Sequence, residues 1–146
     1  MCRRDLGKLY QDELLRHNRN PLNFRKIDNT ELVATVNNPT CGDEVTIYIK
    51  HKDDVITDAS FQAQACAICK SSASVLTEYV KNRRLTEMKE LSKSFLQFVE
   101  DWRTSHIDAS FHLFSALKEF PTRKNCLLLP WRALNKLLEP GAKRGN

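Results

Sequence analysis

Three cysteines and one aspartate, Cys41, Asp43, Cys66 and Cys126, constrain this chain more than anything else in its sequence. Each falls where a strand or helix is expected to begin or end, and none lies inside an apolar run. Thiolates and a carboxylate brought to one point bind a soft metal or handle sulfur. A tetrahedral zinc site in a small protein uses four such ligands. The four are scattered, so they can meet only once the whole domain has folded. That argues for a site built into one domain rather than a finger inserted in a loop.

A length of 146 residues suits one domain, spanning 1–146, with room for a real core. A chain 41% hydrophobic and 28% charged carries no disorder signature. No apolar run approaches the roughly 18–20 residues that cross a bilayer. The start, Met1-Cys2-Arg3-Arg4-Asp5, lacks a following apolar stretch, so no secretory signal is read and a cytoplasmic protein is expected. Five cysteines, an odd number, fit a disulfide framework poorly. In a reducing compartment such cysteines bind metal or do chemistry. Cys2, near the terminus, is given no role. The net charge of +5 invites a nucleic-acid reading. Its basic residues are spread along the chain without a recognition motif, which excludes that class and leaves a solvated surface or a docking face for an acidic protein.

Leu6, Leu9, Tyr10 and Leu14 predict a helix over Leu6–His17, ended by Asn20-Pro21 because the residue before proline avoids helical angles. Three strands are expected at Glu31–Asn37, Glu44–Lys50 and Val55–Gln62. The second alternates cleanly, with Val45, Ile47 and Ile49 on one face. Both connections are short enough for antiparallel hairpins. Helices follow: one from Cys66 to about Lys81, one over Thr86–Glu100 with Thr86 as N-cap, one over Asp108–Lys118, and a last from about Cys126 to Leu138. Pro130 is tolerated in the last if that helix starts only a residue or so after Cys126. The tail 140–146 reads as frayed. The architecture is α+β, a small three-stranded antiparallel sheet with helices packed on it.

In Cys41-Gly42-Asp43, Gly42 removes a Cβ that would crowd the turn, so the flanking side chains can converge on one metal. Cys66 ends the third strand and opens a helix, where partial positive charge and exposed N–H groups favour a thiolate. Cys126 repeats that arrangement beside Arg123 and Lys124. Cys66-Ala67-Ile68-Cys69 is formally a C-x-x-C, but it lacks the proline or glycine between its cysteines and the βαβ setting of a redox pair. Cys69 therefore reads as a helix residue one turn beyond the ligand. His17, His51, His106 and His112 have no metal or triad context and read as surface histidines.

Three stretches together resemble the IscU/NifU-like iron–sulfur cluster assembly family: Asn38-Pro39-Thr40-Cys41-Gly42-Asp43, then Phe61-Gln62-Ala63-Gln64-Ala65-Cys66-Ala67-Ile68 with Ser71-Ser72-Ala73-Ser74, then Phe120-Pro121-Thr122-Arg123-Lys124-Asn125-Cys126 before Trp131-Arg132-Ala133-Leu134. Within that family the chain is similar to the SufU branch. Scaffold members carry a His directly before the third Cys, where Asn125 stands here. The segment between Cys66 and Cys126 is also longer, as in SufU members. Ala63 and Ala65 depart from the glycines that the family usually has. The resemblance implies a zinc ion held by Cys41, Asp43, Cys66 and Cys126, and a pyridoxal-phosphate cysteine desulfurase of the SufS kind as partner. It further implies that Cys41 accepts sulfur as a persulfide and that Arg123 contributes to docking or activation. The alternative is a scaffold on which an iron–sulfur cluster is assembled with the same ligands.

Overall fold

The clean alternation of Glu44–Lys50 becomes the centre of the structure. In the computed structural model, which describes residues 3–40 and 42–139, that stretch is the middle strand of a three-stranded antiparallel sheet ordered β1-β2-β3. The strands are β1 (Leu32–Asn38), β2 (Asp43–Lys52) and β3 (Val55–Gln64). Register runs from Leu32 opposite Ile49 to Asn38 opposite Asp43, and from Glu44 opposite Gln64 to Lys52 opposite Val55. Val45, Ile47 and Ile49 form the buried row, joined across the ladder by Ala34 and Phe61. The opposite face is more polar. There the Thr35 and Thr46 hydroxyls lie 2.7 Å apart, and the Tyr48 hydroxyl donates to Gln62 Oε1 at 2.6 Å. The β2–β3 loop is two residues, and Asp53 takes the left-handed φ of 53° that such hairpins need.

Four α-helices accompany the sheet, of which α2 and α4 pack on it: α1 (Arg3–Arg19), α2 (Ala67–Val80), α3 (Met88–Asp101) and α4 (Lys124–Leu138). α4 lies across β1 and β2, while α2 packs on β3, α1 and α4. α2 is central and buries Ser71, Ser72 and Ser74. Each hydroxyl ties another segment to the helix. Ser71 Oγ donates to the Leu14 carbonyl at 2.9 Å and Ser72 Oγ to that of Leu127 at 2.7 Å. Ser74 Oγ accepts from Leu22 N–H at 2.8 Å. A second part of the core is aromatic, with Phe95 stacked on Trp131 at 3.9 Å and Phe111 and Phe114 set edge-on to Phe95.

Several boundaries differ from the sequence expectation, each for a local reason. α1 is longer at both ends, and Leu9, expected in its apolar face, is exposed. Thr86 is not an α-helix N-cap. It sits in a 3₁₀ turn, Leu85–Glu87, where its N–H and hydroxyl both donate to the Asp54 carboxylate, at 3.1 and 2.8 Å. Residues Ala109–Leu117 wind as 3₁₀, not α. Phe111, Phe114 and Leu117 recur every three residues there, which suits three residues per turn. α4 begins two residues before Cys126, so Pro130 is interior and buried. Pro130 has no N–H to give the Cys126 carbonyl one turn back. His17 is half-buried, its Nδ1 2.8 Å from Ser74 Oγ, and so is no surface histidine.

Both sheet edges are engaged. β3 exchanges main-chain bonds with Asn23 and Arg25 at Phe61, and with Asn82 and Arg83 at Ile56. On β1, the Thr35 carbonyl accepts from Lys136 Nζ of α4 at 3.1 Å. Among the described residues no helix is long and apolar enough to cross a membrane. The tail 140–146 and Cys2 lie outside the described residues.

Candidate metal and sulfur site

The register brings the end of β1, the start of β2 and the end of β3 to one edge of the sheet. The connection from Asn38 to Asp43 is closed by Gly42 N–H donating to the Asn38 carbonyl at 2.8 Å and Thr40 N–H to Asn38 Oδ1 at 3.1 Å. Gly42 has φ of 77°, which an L side chain adopts only at a cost. A Cβ built there meets nothing within 4 Å. The glycine therefore serves the backbone angle and not, as expected from sequence, the relief of crowding.

Asp43 opens β2 on the same side as Val45, Ile47 and Ile49, and is only 8% exposed. A carboxylate thus heads a row of core side chains. Its Oδ2 is buried and has no hydrogen-bond partner among the described residues. Cys66 lies just beyond β3 and is the N-cap of α2, with ψ of 168°. Cys126, 7% exposed, sits in the first turn of α4. Both thiols stand where a helix start leaves N–H groups unsatisfied and partial positive charge favours anions.

One ligand atom from each of Asp43, Cys66 and Cys126 lies within 4.8 Å of the others. Ligand atoms sharing a tetrahedral zinc stand roughly 3.5–4 Å apart, given metal–ligand lengths of about 2.0–2.3 Å. The donor set fits a metal on two counts: it is two soft thiols with one carboxylate, and the carboxylate carries a buried oxygen without a partner among the described residues. An oxygen in that position costs about 1–3 kcal/mol unless something pairs with it.

Of the expected site residues, Asp43, Cys66 and Cys126 are brought together, and Cys41 lies outside the described residues. Arg123 is exposed at the end of a 3₁₀ turn, Pro121–Arg123, directly before α4. Asn125 is exposed, and its Oδ1 accepts from Arg132 Nη2 at 3.3 Å. Cys69 is wholly buried in the core and is not part of the ligand group. Ala63 and Ala65 are not among the residues with positive φ, so this approach to Cys66 does not need glycine.

Sequence reasoning missed the hydroxyl that supports the third ligand. Ser72 Oγ donates to the carbonyl of Leu127, beside Cys126, and accepts from Trp131 Nε1 at 3.2 Å. One α2 side chain thus braces the start of α4 where Pro130 weakens it. The signal available was a serine run inside an otherwise apolar helix. Phe120, which heads the third stretch quoted above, is 52% exposed at the entry to the Arg123 turn.

The family model of the NifU-like N terminal domain matches residues 9–127. The zinc-dependent sulfurtransferase SufU of Bacillus subtilis is 31% identical over 134 residues, covering 90% of both chains. The iron–sulfur cluster assembly scaffold protein IscU of Thermotoga maritima is 30% identical over 137 residues, covering 90% of this chain and 94% of the relative. Among solved structures, a putative iron–sulfur cluster assembly scaffold protein for the SUF system from Fervidobacterium islandicum superposes with a TM-score of 0.74 at 27% identity. That superposition covers 91% of this chain and 98% of the other.

Proposed function

This chain belongs to the family of the NifU-like N-terminal domain, and from that premise we propose that it is an iron–sulfur cluster assembly protein that accepts persulfide sulfur at a zinc site. The convergence of Asp43, Cys66 and Cys126, with a buried carboxylate oxygen that has no partner among the described residues, carries the reading. Cys41, two residues before Asp43 in the β1–β2 connection, supplies the fourth donor. When bound, zinc would hold the thiols as thiolates.

The sulfur donor is a cysteine desulfurase bearing a persulfide. Cys41 thiolate attacks the outer sulfur, a new S–S bond forms on Cys41, the donor's S–S bond breaks, and the donor cysteine leaves as thiolate. This is ordinary thiol–disulfide exchange. Three thiolates and a carboxylate around a dication leave net negative charge, and Arg123 and Lys124 at the mouth of α4 offset it. Arg123, exposed there, is the residue assigned to docking or activation.

The runner-up is a cluster scaffold using the same ligands, since thiolates suit both zinc and iron–sulfur centres. Asn125 before Cys126, in place of the scaffold members' histidine, favours sulfur transfer. Elemental analysis of anaerobically purified protein tests the choice. About one zinc per chain without sulfide, with Cys41→Ala abolishing stimulation of desulfurase turnover, is the expected result. Iron with matching acid-labile sulfide makes the protein a scaffold. Full stimulation by Cys41→Ala overturns its role as acceptor.

A further inference from the structure

Cys66 carries the ligand thiol, yet a second cysteine lies one helical turn along the same element. Cys66 is the N-cap of α2, and its carbonyl accepts from Lys70 N–H at 3.1 Å, so the first turn is regular. Cys69 is three residues on. Side chains so spaced share one helix face, with Cβ atoms roughly 5–6 Å apart. A disulfide needs them at about 3.5–4.5 Å. The difference is small at a helix start whose N-cap residue already has extended ψ. Exposure divides the pair: Cys66 is half-buried and Cys69 is wholly buried. Cys69 is not one of the ligand group that the described residues form.

We propose that Cys66 and Cys69 are an oxidisable dithiol, and that closing their disulfide withdraws Cys66 from the metal site and releases the ion. The proposal rests on Cys66 being a metal ligand, as read above. The oxidant is a peroxide. The half-exposed Cys66 sulfur attacks the O–O bond and becomes a sulfenic acid, with one peroxide oxygen leaving as water after protonation. The Cys69 thiol then attacks that sulfur. The S–S bond forms, the S–O bond breaks, and the second oxygen leaves as water with the Cys69 proton. Two thiols lose two electrons, and one peroxide becomes two waters. A dithiol reductant reverses the step. Cys126 also neighbours Cys66, but with a metal bound it is itself a ligand, whereas Cys69 lies one turn along the same helix and is not one of the ligand group.

The test uses full-length protein purified reduced, with zinc measured before and after hydrogen peroxide by a chromogenic chelator. The tryptic peptide ending at Lys70 holds both cysteines, so mass spectrometry reads their disulfide as a loss of two hydrogens from it. The expected result is that disulfide, with zinc released about tenfold or more faster than from Cys69→Ala, because the resolving thiol is held in place. Zinc should return after reduction. Cys69→Ser is the second variant should the alanine fail to fold. Equal release from either variant and the parent, or a disulfide mapped to Cys126 or Cys41, overturns the proposal. A reduced protein without zinc instead overturns the zinc reading and the release step with it, while the mapped disulfide still decides whether the dithiol exists.

Discussion

Replacing Asp43 by alanine should stabilise the metal-free protein and weaken its hold on metal. Asp43 heads the core-facing row of β2, and its Oδ2 is buried without a partner among the described residues. Such an atom costs about 1–3 kcal/mol in a fold that offers it nothing. Alanine removes that cost, leaves a small space at the edge of the sheet, and changes little in strand preference, since both residues are poor strand formers. A net gain of about 1–2 kcal/mol is expected. With a urea slope of about 1.5–2 kcal/mol/M for a chain of this size, the midpoint should rise by on the order of 0.5–1 M. The assay is urea unfolding followed by the fluorescence of Trp102 and Trp131, with a zinc chelator present and again with zinc in excess. In zinc the order should reverse, because the parent gains binding free energy that the variant has lost. A metal-free Asp43→Ala protein less stable than the parent would refute the reasoning. It would mean that the carboxylate is satisfied inside the fold and is not held ready for a cation.

Ser72→Ala should destabilise by about 1–3 kcal/mol, because Trp131 Nε1 is left buried without its acceptor; thermal unfolding measures it. His17 should make stability depend on pH. Burial against α2, and secondarily the charge of Arg16, hold its ring below the ordinary 6.5. The unfolded chain then takes up its proton first as pH falls through about 6.5. Stability is full above that pH and is lost below it, until the folded ring protonates too. His17→Gln should flatten urea midpoints between pH 5 and 7.5, and an unchanged slope would assign the dependence to another group. Arg123→Glu should leave unfolding within about 0.5 kcal/mol of the parent, since the side chain is exposed. It should also cut stimulation of a cysteine desulfurase about tenfold at low salt, with the gap narrowing as salt screens it.

The sheet was legible because one face of β2 alternates without interruption. Carried one step back from Val45, the same alternation puts Asp43 on the core side, where the structure has it. The ligands were legible as types, since cysteines at element ends are scarce and chemically specific. Their meeting was implied by the family resemblance and not by the local pattern, because it depends on a register that sets Asn38 against Asp43 and Glu44 against Gln64. Pairings between residues far apart in the chain were invisible for the same reason. The Asp54 carboxylate that receives Thr86 and the Ser72 hydroxyl that braces Leu127 come from other segments. Local pattern also misled where two helical periods are close. Phe111, Phe114 and Leu117 satisfy an α reading and a 3₁₀ reading alike, and the structure adopts the tighter one.

The unequal treatment of the two sheet edges bears on how this protein can fail. A strand that ends a sheet offers its main chain to any extended segment nearby, including the same strand of another copy. β3 is shielded by the chain's own backbone near both of its ends. Among the described residues, the edge contact seen along β1 is a flexible lysine from α4 resting on the Thr35 carbonyl. That contact vanishes as soon as the end of α4 loosens. Heating or crowding that frays α4 would therefore expose β1 first. Self-association in this molecule should begin at Leu32–Asn38, away from the thiols that draw attention to it.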